Sequence, residues 1–144
     1  MFERILVVCA GNICRSPVAE AMLRQRCPQK TVSSAGLGAL VGQGVEPTAR
    51  RLAEADGVDV SAHVARQLNQ ELLQQNDLIL VMSDGQRRAV GELSSAALGK
   101  TMLLGHWLEH GTKDIPDPYR KSEDAFQHVH GLLKQSVDTW SSKL

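Results

Sequence analysis

Residues 9–17, CAGNICRSP, crowd two thiols, a glycine, an asparagine, an arginine and a Ser-Pro pair into one short segment. A loop that turned the backbone N–H groups of Ala10, Gly11, Asn12, Ile13, Cys14 and Arg15 inward would cradle an anion. A helix starting behind it would add its positive end. An arginine on the far side grips two oxygens of a tetrahedral oxyanion at once, which lysine cannot. Five residues separate Cys9 from Arg15, so a thiol at the base of such a cradle would be held as a thiolate by the same dipoles and by the guanidinium. The chemistry this suits is attack on a phosphate monoester. Sulfur displaces the leaving oxygen in line, and water then hydrolyses the phosphocysteine.

An alkoxide or phenoxide leaves poorly unless it is protonated, so a general acid must reach the same rim from elsewhere in the chain. Asp117 in IPDPYRK is the best candidate, its backbone stiffened by Pro116 and Pro118. Asp114 is the rival, and no such pair of prolines pins it. Taken singly, a cysteine at the end of a buried strand is ordinarily a small hydrophobe, and an aspartate between prolines a turn former. The combination with Gly11, Asn12, Arg15, Ser16 and Pro17 carries the catalytic reading.

These residues need elements to position them. RILVVC at 4–9 is an apolar, β-branched run that predicts a buried parallel strand. Ser16-Pro17 predicts a helix start, with the Ser16 hydroxyl as cap and proline in the first turn, and Cys27-Pro28 predicts its end. Further strands are expected at 31–36, 77–83 and 100–105. Helices are expected from Pro47 to Gly57, over 85–94, and from Ser122 onward, where Phe126, Val129, Leu133, Val137, Trp140 and Leu144 form one stripe. Strands alternating with helices argue for an α/β fold with a parallel sheet covered on both faces, whose ligands bind beyond the carboxyl ends of the strands. The CAGNICR loop follows the first strand at that end. The glycine-rich stretch 36–46 reads as a substrate-rim loop.

At 144 residues, 42% hydrophobic and 22% charged, the chain suits one domain spanning 1–144. Lys plus Arg and Asp plus Glu both number 16, so no global field points to nucleic acid or an anionic membrane. The apolar runs are too short for a signal peptide or membrane span, so direct membrane insertion is not expected and a cytoplasmic location is. Three cysteines do not make a disulfide scaffold, and a reducing compartment keeps them as thiols.

VVCAGNICRSPVAEAML resembles the signature of the low-molecular-weight protein tyrosine phosphatases, and SAHVARQ, DLILVM and IPDPYRKS resemble further segments of that family in the same order. The resemblance covers essentially the whole chain. It implies a four-stranded parallel sheet with helices on both faces, a flavodoxin- or Rossmann-like three-layer sandwich, with no cofactor, no metal and phosphotyrosine hydrolysis. Carried over by position, Cys9 is the nucleophile, Arg15 the phosphate clamp and Asp117 the general acid. The backbone amides of Ala10 through Arg15 hold phosphate oxygens and the Ser16 hydroxyl stabilises the thiolate. Asn12 holds the loop's strained shape, supported by Ser34 and His63. Cys14 matches a second loop cysteine able to form a reversible disulfide with Cys9. Tyr119 is an aromatic wall, and Leu37, Leu40 and Val41 complete the substrate rim. Leu40 falls where many members carry an aromatic residue. SAGLGALVGQG, GHW and DPYRKS instead resemble a Gram-negative subgroup tied to capsule and exopolysaccharide export. In that subgroup the usual partner is an autophosphorylating membrane tyrosine kinase. A monomer or weak dimer is expected.

Two other motifs are decoys. SSAALGKT at 94–101 ends like a nucleotide phosphate loop, but it starts with Ser94 and precedes a strand where it should follow one. HWLEH at 106–110 has zinc-protease spacing, yet Gly105 and Gly111 leave too little room for the required helix. Two rival functions share the cysteine loop. A thiol-dependent arsenate reductase needs relay cysteines, typically after the third strand, and 78–95 contains none. A non-catalytic phosphotyrosine-binding module has no use for a nucleophile or an acid.

Overall fold

The computed structural model describes residues 2–109, 111 and 113–144. Four strands, β1 (Arg4–Cys9), β2 (Thr31–Gly36), β3 (Leu78–Val81) and β4 (Thr101–Leu103), form one parallel sheet in the order β2-β1-β3-β4. Five α-helices, α1 (Arg15–Arg26), α2 (Pro47–Ala55), α3 (Gln70–Gln75), α4 (Asp84–Leu93) and α5 (Glu123–Lys143), cover it. Alternation along the central strands divides the core in two. Ile5, Val7 and Cys9 of β1, with Leu78, Leu80 and Met82, pack with Val18, Leu23, Phe126 and Val137 on one face. Leu6, Val8, Ile79 and Val81 pack with Leu73, Val90 and Ala97 on the other. Each such fully buried aliphatic side chain contributes roughly 1.5–3 kcal/mol, so β1 and β3 are the platform on which the loops after them are mounted. The expected three-layer α/β sandwich is the one observed.

The helices end where their residues dictate. Glu46 caps α2 by accepting from the Thr48 and Ala49 amides, Pro47 fills the first position, and Gly57 at φ 74° follows the end. Ser83 and Ser122 cap α4 and α5. The stripe Phe126, Val129, Leu133, Val137 and Trp140 is buried, and Leu144 packs against the same core.

Four differences from the sequence expectation have physical causes. β3 is shorter than 77–83 because Asp77 turns its carboxylate to the Glu3 and Arg4 amides, both at 2.9 Å, while Ser83 is taken by the α4 cap. β4 stops at Leu103 in a 3₁₀ turn over Leu104–Trp107, where a side chain at Gly105 would strike the Lys113 carbonyl. The short helix α3 was not expected; Asn69 caps it and only Leu73 is buried. Finally, α1 begins at Arg15, and Ser16 does not cap it, because its hydroxyl faces Cys9 and Asn12.

Both decoy motifs sit outside the chemistry they mimic. Lys100 closes a 3₁₀ segment before β4 and donates to the Asn76 carbonyl at 2.7 Å. His106 lies in the 3₁₀ turn, and His110 lies outside the described residues. Among the described residues no helix is long and apolar enough to cross a membrane.

Candidate active site

The loop from Cys9 to Arg15 leaves the carboxyl end of β1, where the outgoing connections of two adjacent strands part, that of β1 to β2 on one side and that of β3 to β4 on the other. Five successive carbonyls of this loop are tied down from outside. Leu37, Gly38, Leu40 and Glu46 donate their amides to the carbonyls of Cys9, Ala10, Gly11 and Ile13 at 2.8–3.0 Å. His63 Nε2 donates to the Asn12 carbonyl at 2.7 Å, which fixes the proton on that nitrogen. In a trans peptide the N–H points opposite to the C=O. Anchoring these five carbonyls therefore turns the amides of Ala10, Gly11, Asn12, Ile13 and Cys14 toward the concave side. Gly36 is required by the same packing: a Cβ there would lie 2.6 Å from the Ala10 carbonyl oxygen.

Asn12 holds the curve. It is buried at φ 58°, in the left-handed region that asparagine tolerates better than most residues. Its Oδ1 accepts from the Arg66 amide at 3.0 Å, which leaves Nδ2 to donate to Ser16 Oγ at 2.7 Å and to Ser34 Oγ at 3.0 Å. Each serine can then donate its own proton onward. Ser34 donates to Glu20 Oε1 at 2.6 Å, and Ser16 Oγ lies within hydrogen-bond distance of Cys9 Sγ, at 2.9 Å. The branch through Ser16 ends at the sulfur of Cys9.

Arg15 spans the other side. Its Nη1 donates to the Ile115 carbonyl at 2.8 Å, Nη2 lies 3.6 Å from Asp117 Oδ2, and Nε is a buried donor with no acceptor among the described residues. A buried guanidinium with an unused N–H beside a ring of amides suits a tetrahedral oxyanion. Asp117 sits in the loop after the 3₁₀ turn, its carboxylate about half exposed, with Oδ1 accepting from the Tyr119 amide at 3.1 Å. Asp114, the rival acid, accepts from the Asp84 amide at 3.1 Å and so is pinned after all, at the start of α4.

Cys9, Ala10, Gly11, Ile13, Cys14 and Arg15 line a cavity of about 190 Å³ together with Gly38, Leu40, Asp117 and Tyr119. The nucleophile, clamp and acid expected from the sequence are thus brought together, as are two of the four rim residues. Leu37 is not among the lining residues; it packs on the second core cluster with Ala35, continuing the alternation of β2. Val41 is 67% exposed and also stands outside the cavity. A larger concavity, about 500 Å³, opens behind the loop against Glu20, Ser34, His63 and Arg66 and touches neither Cys9 nor Arg15.

The two loop cysteines differ. Burial, reinforced by the neighbouring Cys9, Glu46 and Asp117 and opposed by Arg15, pushes the Cys14 thiol up to about 12. Cys14 is therefore protonated at neutral pH and no competitor as nucleophile. The sequence reading missed Glu20 and Arg66. Glu20 joins the network through Ser34, a strand residue on β2, and no spacing within α1 signals that link. Arg66 follows His63 by three residues in a segment whose importance was visible, but its backbone role was not.

Residues 4–144 match the family model for the low molecular weight phosphotyrosine protein phosphatases. The low molecular weight protein-tyrosine-phosphatase Wzb of Salmonella typhimurium is 47% identical over 144 residues, which is 100% of this chain and 95% of that protein. The tyrosine phosphatase Wzb from Escherichia coli K30, solved in complex with sulphate, superposes with a TM-score of 0.96 at 45% identity, with 99% of each chain covered. Vibrio vulnificus Wzb in complex with benzylphosphonate gives a TM-score of 0.95 at 45% identity, with 100% of each chain covered. With its cysteine loop, clamp and acid assembled at one cavity, this chain belongs to the low molecular weight phosphotyrosine protein phosphatases and is a protein-tyrosine-phosphatase.

Proposed function

We propose that the chain hydrolyses phosphotyrosine through a phosphocysteine on Cys9. The observation that carries this reading is the outward anchoring of five loop carbonyls around a sulfur hydrogen-bonded with the Ser16 hydroxyl. The amides and Arg15 hold the phosphate oxygens, and Cys9 Sγ attacks phosphorus as the phosphorus–oxygen bond breaks. Asp117 gives its proton to the departing phenoxide and then takes one from the water that cleaves the phosphorus–sulfur bond, which restores the thiolate. Preorganised donors of this kind act where charge develops on the oxygens in the transition state. Leu40 and Tyr119 flank the substrate ring, while Leu37 and Val41 act only from outside the cavity. The sulphate and benzylphosphonate bound by the two Wzb enzymes are chemical counterparts of the phosphate group and of the phosphorylated side chain.

The substrate protein is proposed to be an autophosphorylated, membrane-bound bacterial tyrosine kinase that controls capsule or exopolysaccharide export. The enzyme would act on its cytoplasmic side as a monomer or weak dimer. The resemblance of SAGLGALVGQG, GHW and DPYRKS to the exopolysaccharide-associated subgroup and the 47% identity to a Wzb over 144 residues support this. Cys14 is proposed to condense with an oxidised Cys9, its thiol displacing water from the sulfenic acid to give a disulfide. An arsenate reductase relay has little support: Cys27 caps the far end of α1, roughly 18 Å of helix away from Cys9, and is buried. The test is a vanadate-sensitive assay comparing phosphotyrosine, phosphoserine and arsenate. Turnover confined to phosphotyrosine is expected; turnover of arsenate with thiol would overturn the reading.

A further inference from the structure

The rim of the cavity carries a cation that the hydrolytic mechanism does not use. Arg120 follows Tyr119 directly and has φ 63°, a conformation that normally selects glycine or asparagine. Its guanidinium carbon lies 5.3 Å from the centroid of the Tyr119 ring, within cation–π range. The ring it covers lines the cavity that holds Cys9. No ion pair among the described residues includes Arg120 or its exposed neighbour Lys121. The carboxylate in the same loop, Asp117, faces Arg15 instead, at 3.6 Å. The backbone conformation closes the turn in which the Lys121 amide donates to the Pro118 carbonyl at 2.9 Å, but the guanidinium laid on the aromatic wall of the site pairs with no anion among the described residues.

We infer that Arg120 is a specificity-determining residue that selects phosphotyrosines with a second negative charge beside them, an acidic side chain or another phosphotyrosine. This rests on the phosphotyrosine reading. A phosphotyrosine ring entering beside Tyr119 brings the flanking peptide residues out at the mouth, at the level of the guanidinium. Opposite charges there interact in partly screened solvent, so the preference is modest and falls with salt. Arginine suits the task better than lysine because its planar guanidinium can stay on the ring while presenting N–H groups to a carboxylate or phosphate.

The test uses the full chain and two phosphotyrosine peptides, one with aspartates flanking the phosphotyrosine and one with asparagines. At low ionic strength the parent enzyme is expected to favour the acidic peptide by about two- to fivefold in kcat/KM, less so at high salt. Arg120→Gln and Arg120→Gly are both expected to remove the preference, although glycine relieves the backbone. Arg120→Lys should keep part of it, and Lys121→Gln, off the ring, most of it. A preference that survives Arg120→Gln, or is lost equally in Lys121→Gln, would overturn the assignment, as would its absence in the parent. The neutral peptide separates the two claims: if it is hydrolysed without discrimination, only the role of Arg120 fails, whereas if neither peptide is hydrolysed, the phosphotyrosine reading fails with it.

Discussion

The two sides of the cavity are built differently. The phosphate side, Cys9 to Ser16, is over-determined: its carbonyls are anchored, Asn12 is held at φ 58° from four directions, and its side chains are buried. The acid side is tied near its ends, by Ile115 donating to the Met82 carbonyl at 2.7 Å and Lys121 to the Pro118 carbonyl at 2.9 Å. Between them the Asp117 carboxylate is about half exposed and Tyr119 is 36% exposed. The anion is the same for every phosphotyrosine, so its receptor can be rigid. The leaving group is attached to a protein, so the residues that meet it must admit varied surroundings.

That contrast sets the size of each expected effect. Cys9→Ser should abolish turnover while leaving phosphate binding measurable by calorimetry, because the cradle remains; normal turnover by this variant contradicts the mechanism. Asp117→Asn should lower kcat with phosphotyrosine by about 10²- to 10⁴-fold, and much less with an aryl phosphate whose leaving group needs no proton. Equal losses on both substrates would remove Asp117 from the acid role.

On the rigid side, Asn12→Ala should cost about 1–3 kcal/mol in the barrier, roughly 5- to 150-fold in kcat. Ser34→Ala, one bond further out, should cost about two- to tenfold. If Ser34→Ala were the more damaging, the network would not run through Asn12. The smallest effect concerns Cys14 and appears in recovery rather than turnover. A thiol raised to about 12 has little thiolate at neutral pH, and that fraction grows about tenfold per pH unit. Peroxide-driven disulfide formation, followed by mass spectrometry between about pH 6 and pH 8, should therefore accelerate with pH. A flat profile would separate Cys14 from the disulfide.

Much of this was legible in the sequence where local pattern decides. The run ILVV, the Pro-flanked Asp117 and the apolar stripe of α5 each reflect nearby residues and need no tertiary knowledge. The residues that were misread are those decided over distance. Ser16 looks like a helix cap, but Cys9 and Asn12 claim its hydroxyl. Leu37 looks like rim, but the strand alternation carries it into the core. Glu20 and Arg66 reach Asn12 through Ser34 and through a backbone amide 54 residues away, and no spacing announces either of these. The end of β3 was equally illegible, because the cap of α4 took Ser83.

The central claim is that Cys9 carries the phosphoryl group. Rapid acid quench of the enzyme turning over an activated aryl phosphate, followed by peptide mass spectrometry, reads this directly. One phosphoryl group on the peptide containing Cys9, absent in Cys9→Ser, is the expected result; steady turnover with no phosphoryl-enzyme formed, or the group on another residue, would contradict it.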